Sequence, residues 1–235
     1  MKKVLIWIGI LFLGLIFLGF MAMVFKTPLI SKIISVHSRL PVSIEQINFS
    51  KEGVKIANFK IRNLPKAELH PAFQANRIDI YTTLKQLREK TRTIDKIDIA
   101  NILINVERFV DNTNNWQVIM SEKKATEEKK PGRPFLIKEL ILTDIDIVVK
   151  DASGIIKNLP RIKKLTFTNL SSEEGYGADE IERAVLYALL KKTFIKAGLN
   201  NILENLNPAN LVPNLLNKIP FVGEGENAIE EAPQP

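Results

Sequence analysis

Histidine, aspartate and tryptophan are the residues from which this chain could build a chemical site, and their spacing builds none. His37 and His70 stand far apart, without the i, i+4 pairing of a zinc helix, and there is no cysteine to act as ligand or nucleophile. The pairs Asp95/Asp98 and Asp144/Asp146 are spaced like carboxylates that could divide acid and base roles. Each pair lies between apolar positions of an alternating stretch, where outward-facing strand residues are solvated. There is no GxSxG, GxGxxG or Walker loop. Gly175-Tyr176-Gly177 reads as a turn, and Trp116 as a packing plug. Asn48-Phe49-Ser50 and Asn169-Leu170-Ser171 fit a glycosylation sequon, which matters only in a secretory eukaryotic setting. These observations predict a protein that is not an enzyme and holds no metal and no cofactor.

The elements that could position a site begin with an apolar one. Val4 to Phe25 (VLIWIGILFLGLIFLGFMAMVF) is unbroken, and as a helix it would be about 33 Å long, enough to cross a bilayer's hydrocarbon core. Val4, Trp7, Phe12, Phe17 and Phe25 are its candidate membrane-facing residues. Met21-Ala22-Met23 is a poor cleavage site, so residues 1–26 read as an uncleaved transmembrane signal anchor. Lys2 and Lys3 ahead of it place residues 27–235 on the far side of the membrane. The 235 residues carry a net charge of +7, with lysines and arginines dispersed among carboxylates, which argues against nucleic acid and suits an anionic lipid surface.

The body repeats one rhythm. Ile94, Ile97, Ile99, Ile102, Ile104, Val106 and Ile137, Leu140, Leu142, Ile145, Ile147, Val149 share a single spacing, and shorter copies occur at Ile44–Phe49, Ile56–Leu64 and Ile162–Leu170. Asn63-Leu64-Pro65 recurs as Asn158-Leu159-Pro160. The spacing winds around a 3.6-residue helix but alternates as a strand does, except where two spacers fall together and reverse the facing. A bulge or bend at each double spacer would restore it. The expected fold is therefore mainly β with α: a bent, mostly antiparallel, groove-like sheet over 42–177, apolar on one face. Ser50–Gly53 and Asp151–Gly154 should close hairpins, and Asp111–Asn115 should turn before Trp116.

The remaining segments are a juxtamembrane piece (27–41), a short helix or loop at 82–90, a charged flexible loop (121–133), a helical C-terminal segment (178–222) and a disordered acidic tail (223–235). Within 178–222, residues 178–199 form the predicted helix, acidic at its start and basic near its end.

An N-terminal anchor, then Val42–Leu64, a strand at Ala75–Tyr81, the rhythm of Ile94–Glu107, and Asn115-Trp116 after a polar turn together resemble the start of AsmA-like proteins of diderm bacteria. The resemblance covers roughly residues 1–170. It implies a single-pass inner-membrane protein with its body in the periplasm and a β-groove whose inner face holds acyl chains. It also implies a part in phospholipid transport or outer-membrane and envelope biogenesis. The twelve apolar residues of the two full copies are then the candidate lipid-facing set, with membrane lipid as partner. The chain is short for a bridge across the periplasm. An alternative is a non-catalytic scaffold in an envelope complex that binds a protein partner through 178–222.

Overall fold

The computed structural model describes residues 27–35, 41–111, 113–124, 133–172, 185 and 221–222. The anchor at 1–26, most of 178–222 and the tail at 223–235 lie outside the described residues. Among the described residues no helix is long and apolar enough to cross a membrane.

The body is mainly β. After a helical stretch, α1 (27–35), come β1 (Val42–Ser43), β2 (Gln46–Phe49), β3 (Gly53–Ile61), β4 (Phe73–Tyr81), α2 (Leu84–Arg88), β5 (Arg92–Ile94), β6 (Lys96–Glu107) and α3 (Asn115–Lys124). Then follow β7 (Phe135–Lys150), β8 (Ile156–Asn158), β9 (Ile162–Ser171) and β10 (Phe221–Val222). Among the described residues all ten strands belong to one open sheet, whose main path runs β1-β3-β4-β6-β7-β9-β10. β2 continues β1 along β3, β5 continues β6 along β7, and β8 flanks β7 beyond β9.

The two expected hairpins form. Phe49 faces Val54 across the Ser50–Gly53 turn, and Lys150 faces Ile156 across Asp151–Gly154. The Asp151 carboxylate accepts from the Ser153 hydroxyl at 2.6 Å and from the Ser153 and Ile155 amides, which makes the second turn an Asx-type turn. The 82–90 segment resolves into α2, whose Thr83 and Gln86 exchange capping-box bonds.

Two pairings depart from a meander, β5 with β7 and β6 with β7. β6 and β7 run parallel, Ile97 opposite Leu140 and Val106 opposite Val149, because the connection carrying α3 returns the chain to the end where β6 began. The two full copies of the rhythm are thus side-by-side neighbours, each apolar position facing its counterpart. α3 also extends to Lys124, into the stretch expected to be a flexible loop. Asn114 caps it by accepting the Gln117 amide at 2.8 Å, and SEKK holds no glycine or proline to stop it. Phe221–Val222, at the end of the segment read as helical, pair with β9.

Three of the double spacers act together, and a fourth, at Asn169, lies at a lower level opposite Lys138. Asn58, Asn101, Asp144 and Asn169 occupy the second spacer position of their copies, and all four have φ between 51° and 55°. Asparagine and aspartate enter this left-handed region more readily than other side-chain-bearing residues. Pairing lapses at the same level in each neighbouring strand: between Ala57↔Arg77 and Phe59↔Ala75, between Ala100↔Arg77 and Ile102↔Ala75, and between Thr143↔Lys164 and Ile145↔Ile162. Each strand spends one residue there, so register is kept on both sides of a crease that crosses the sheet through Asn58, Asn76, Asn101, Asp144 and Lys163.

Candidate functional site

The crease lets one face of the sheet stay apolar from end to end. Below it, two rows run across the strands: Phe49, Val54, Ile80, Ile97, Leu140, Phe167, and Ile47, Ile56, Ile78, Ile99, Leu142, Leu165. Above it run Phe59, Ala75, Ile102, Ile145, Ile162, and then Ile61, Phe73, Ile104, Ile147. Cross-strand neighbours of this kind each add about 0.2–1 kcal/mol, apart from the burial of their area.

Burial is uneven along this face. Ile102, Ile104, Val106, Leu140, Leu142, Ile145, Ile147 and Val149 are buried, Ile145 and Val106 with no exposed surface at all. Ile94, Ile97, Ile99 and Ile137 are only half-buried, as are Val54 and Ile80 beside them. The upper end is packed by Ile30 and Ile34 of α1 and by Trp116 and Ile119 of α3, and the helical Val185 also packs on the core. The structure therefore leaves eight of the twelve candidates buried, Leu140 and Leu142 below the crease among them, and four, Ile94, Ile97, Ile99 and Ile137, partly accessible. The anchor candidates Val4, Trp7, Phe12, Phe17 and Phe25 lie outside the described residues.

The upper end is held shut by a polar clasp that the sequence reading did not find. The loop after β3 crosses the ends of β6 and β7. The buried Glu107 carboxylate accepts the Glu68 and Leu69 amides at 2.8 and 3.0 Å, and Lys150 lies 3.4 Å from its other oxygen. The same ammonium reaches Glu68 at 2.5 Å; this hydrogen bond, aided by the charges of Glu107 and Glu68, holds it above the usual lysine range. Asn115 bridges the loop to the sheet, donating to Asn63 and to the Asn105 carbonyl and accepting from the Glu107 amide. Trp116 donates its indole N–H to that same Asn105 carbonyl at 2.9 Å, so it is a hydrogen-bonded plug of the core. A signal was present: Glu107 and Lys150 end the two full copies, opposite in sign and opposite in register. Of the repeated Asn-Leu-Pro motifs only the first joins this clasp, through the buried Asn63; Asn158 is exposed on β8.

The suspected carboxylate pairs separate. Asp95 accepts from Gln86 at 2.6 Å and from Lys138 at 2.7 Å, which keeps its carboxyl below the usual range. Asp146 is forked by Arg161, and Asp144 sits in the crease. Asp98 instead faces Asp79 across the strands, on the outer face, with Arg77 within 3.6 Å of both and Lys96 within 3.6 Å of Asp98. Two carboxylates and two cations thus alternate in a charge ladder across β4 and β6. His70 is exposed, and His37 lies outside the described residues. Among the described residues no three His, Asp or Glu side chains converge to hold a metal. What the arrangement can do is bind apolar matter along the lower, half-open part of its inner face.

No protein-family model matches this chain, and no curated protein matches it.

Proposed function

We propose that this chain is a non-catalytic, membrane-anchored protein of the bacterial inner membrane. Its body lies in the periplasm and carries phospholipid acyl chains on the apolar face of an AsmA-like sheet, assisting lipid transport or envelope biogenesis. The observation that supports this reading most directly is the gradient of burial. The end bearing the clasp is sealed, while toward the opposite end Ile94, Ile97, Ile99 and Ile137 keep accessible surface beside the buried Leu140, Leu142 and Phe167. An acyl chain laid there gains about 0.8 kcal/mol per buried methylene.

The rival reading, an adaptor docking a protein through 178–222, has less to rest on, because Val185 packs inward on the core. The test is native mass spectrometry of the full chain after mild extraction, together with transfer of labelled phospholipid between liposomes. Co-purifying phospholipid and transfer are expected, with both lost in an Ile97→Asp, Ile99→Asp variant. Absence of lipid and of transfer in the unaltered chain would end the proposal.

A further inference from the structure

A cavity lies at the edge of the sheet, where α1 meets β1. It is a cleft of about 490 Å³ lined by Thr27, Pro28, Ser31, Lys32, Val42, Ser43, Ile44 and Glu45. That volume falls within the range of small-ligand sites, about 300–1,000 Å³. Its walls are tied together. Ser31 and Ser35 of α1 each donate a hydroxyl to the Val42 carbonyl, at 2.9 and 3.0 Å, and Ser35 accepts the Val42 amide at 2.9 Å. Ile30 and Ile34 pack the same helix against the core. The helical wall carries a cation, Lys32, with hydroxyls at Thr27 and Ser31; the strand wall carries a carboxylate, Glu45, with a hydroxyl at Ser43. Asn58 donates to one Glu45 oxygen at 2.5 Å and so orients that carboxylate.

Position supplies the rest. Thr27 is two residues beyond Phe25, so even fully extended chain puts the cleft's edge no more than about 7 Å from the end of the apolar run. The polar layer of a bilayer is about 5–8 Å deep on each side. A cation and a carboxylate on facing walls, at that depth, match a ligand bearing both charges. We propose that this cleft seats the headgroup of a zwitterionic phospholipid, its phosphate on Lys32 and the hydroxyls of α1 and its ammonium on Glu45. A primary ammonium fits better than a quaternary one, since it can donate to the carboxylate, whereas quaternary heads are held by aromatic cages and the described lining has no aromatic residue. The assignment rests on Val4–Phe25 crossing a membrane, but not on lipid being carried along the sheet.

The experiment uses the full chain in non-ionic detergent, titrated with phosphatidylethanolamine, phosphatidylcholine or phosphatidylglycerol of identical acyl chains and read by native mass spectrometry. Identical tails cancel any contribution of the apolar face. Phosphatidylethanolamine should be retained about tenfold over phosphatidylglycerol, the size of one charge-assisted contact. Glu45→Gln keeps an acceptor for Asn58 and should bring that ratio close to one; Lys32→Gln should weaken both lipids. A ratio near one in the unaltered chain, a ratio unmoved by Glu45→Gln, phosphatidylcholine bound as well as phosphatidylethanolamine, or displacement of lipid by millimolar inorganic phosphate would each overturn the assignment. A chain that shows the preference but transfers no lipid between liposomes would keep this site and lose the transport reading.

Discussion

Asn101 and its counterparts carry more of the fold than their polarity suggests. At φ near 55° a β-branched side chain is penalised by about 1–2 kcal/mol, whereas glycine is not. Asn101→Val should therefore lower stability by about that amount and Asn101→Gly by only a few tenths, measured as chemical unfolding of the detergent-solubilised chain. In the clasp, Glu107→Ala leaves two amides without their acceptor and Lys150 with Glu68 alone, and should cost about 3 kcal/mol by the same measurement. Lys150 gives the clasp a pH signature. Its folded pKa is raised above 10.5, first by the hydrogen bond to Glu68, so its contribution is whole below pH 10.5 and is lost as pH rises through the raised value. Melting temperature should fall on that alkaline limb, and Lys150→Met should flatten it. On the acid side the sign is opposite. Asp95, held below 3.8 by Gln86 and then Lys138, stabilises the fold above pH 3.8 and ceases to as pH falls through its lowered value, so Asp95→Asn should flatten the acid limb. The sequence shows Asn or Asp at the second spacer of four copies, Asn58, Asn101, Asp144 and Asn169, so the bend was legible there. The clasp was not, because its partners Asn63, Glu68, Glu107, Asn115 and Lys150 converge only when distant strands pair.

Among the elements, the two hairpins test how much a turn depends on its glycine. Gly53 has φ of 145°, and an added Cβ would overlap the Ile80 carbonyl oxygen of the neighbouring strand. Gly154 has φ of 89° but open space around it. Gly53→Ala should cost about 2 kcal/mol or more, combining strain with displacement of β4, while Gly154→Ala should cost about 1 kcal/mol from backbone strain alone, again read by chemical unfolding. Both turns were legible, since Ser-Lys-Glu-Gly and Asp-Ala-Ser-Gly carry turn chemistry between alternating runs. The direction of β7 was not. Alternation fixes which side of a strand is apolar and says nothing of which neighbour lies beside it, and the parallel pairing of β6 with β7 follows from the long connection through α3. The helix itself was hidden by the charges of SEKK, which read as loop until Asn114 is seen to cap them.

For the molecule as a whole, the apolar face was plain in the rhythm of isoleucines, but its division into sealed and accessible parts was not. Ile104 and Ile99 occupy equivalent positions of one repeat, yet one is buried and the other half-buried. An aspartate at both Ile97 and Ile99 should therefore abolish liposome-to-liposome transfer at the proposed site. The same change at Ile104 and Ile147 should unfold the body, since an isolated buried carboxylate is strongly unfavourable. Circular dichroism separates the two outcomes, with strand signal kept in the first variant and lost in the second.

Because every neighbouring strand turns over at one latitude, a single inserted or deleted residue in any of them would throw its half of the apolar rows onto the wet side, unmatched by its neighbours. Such a sheet tolerates being widened by whole ribbons that carry their own spacer at the same height, and resists being lengthened one residue at a time. Descendants of this architecture should differ in how many ribbons they hold, while the distance from hairpin to fold-line stays constant.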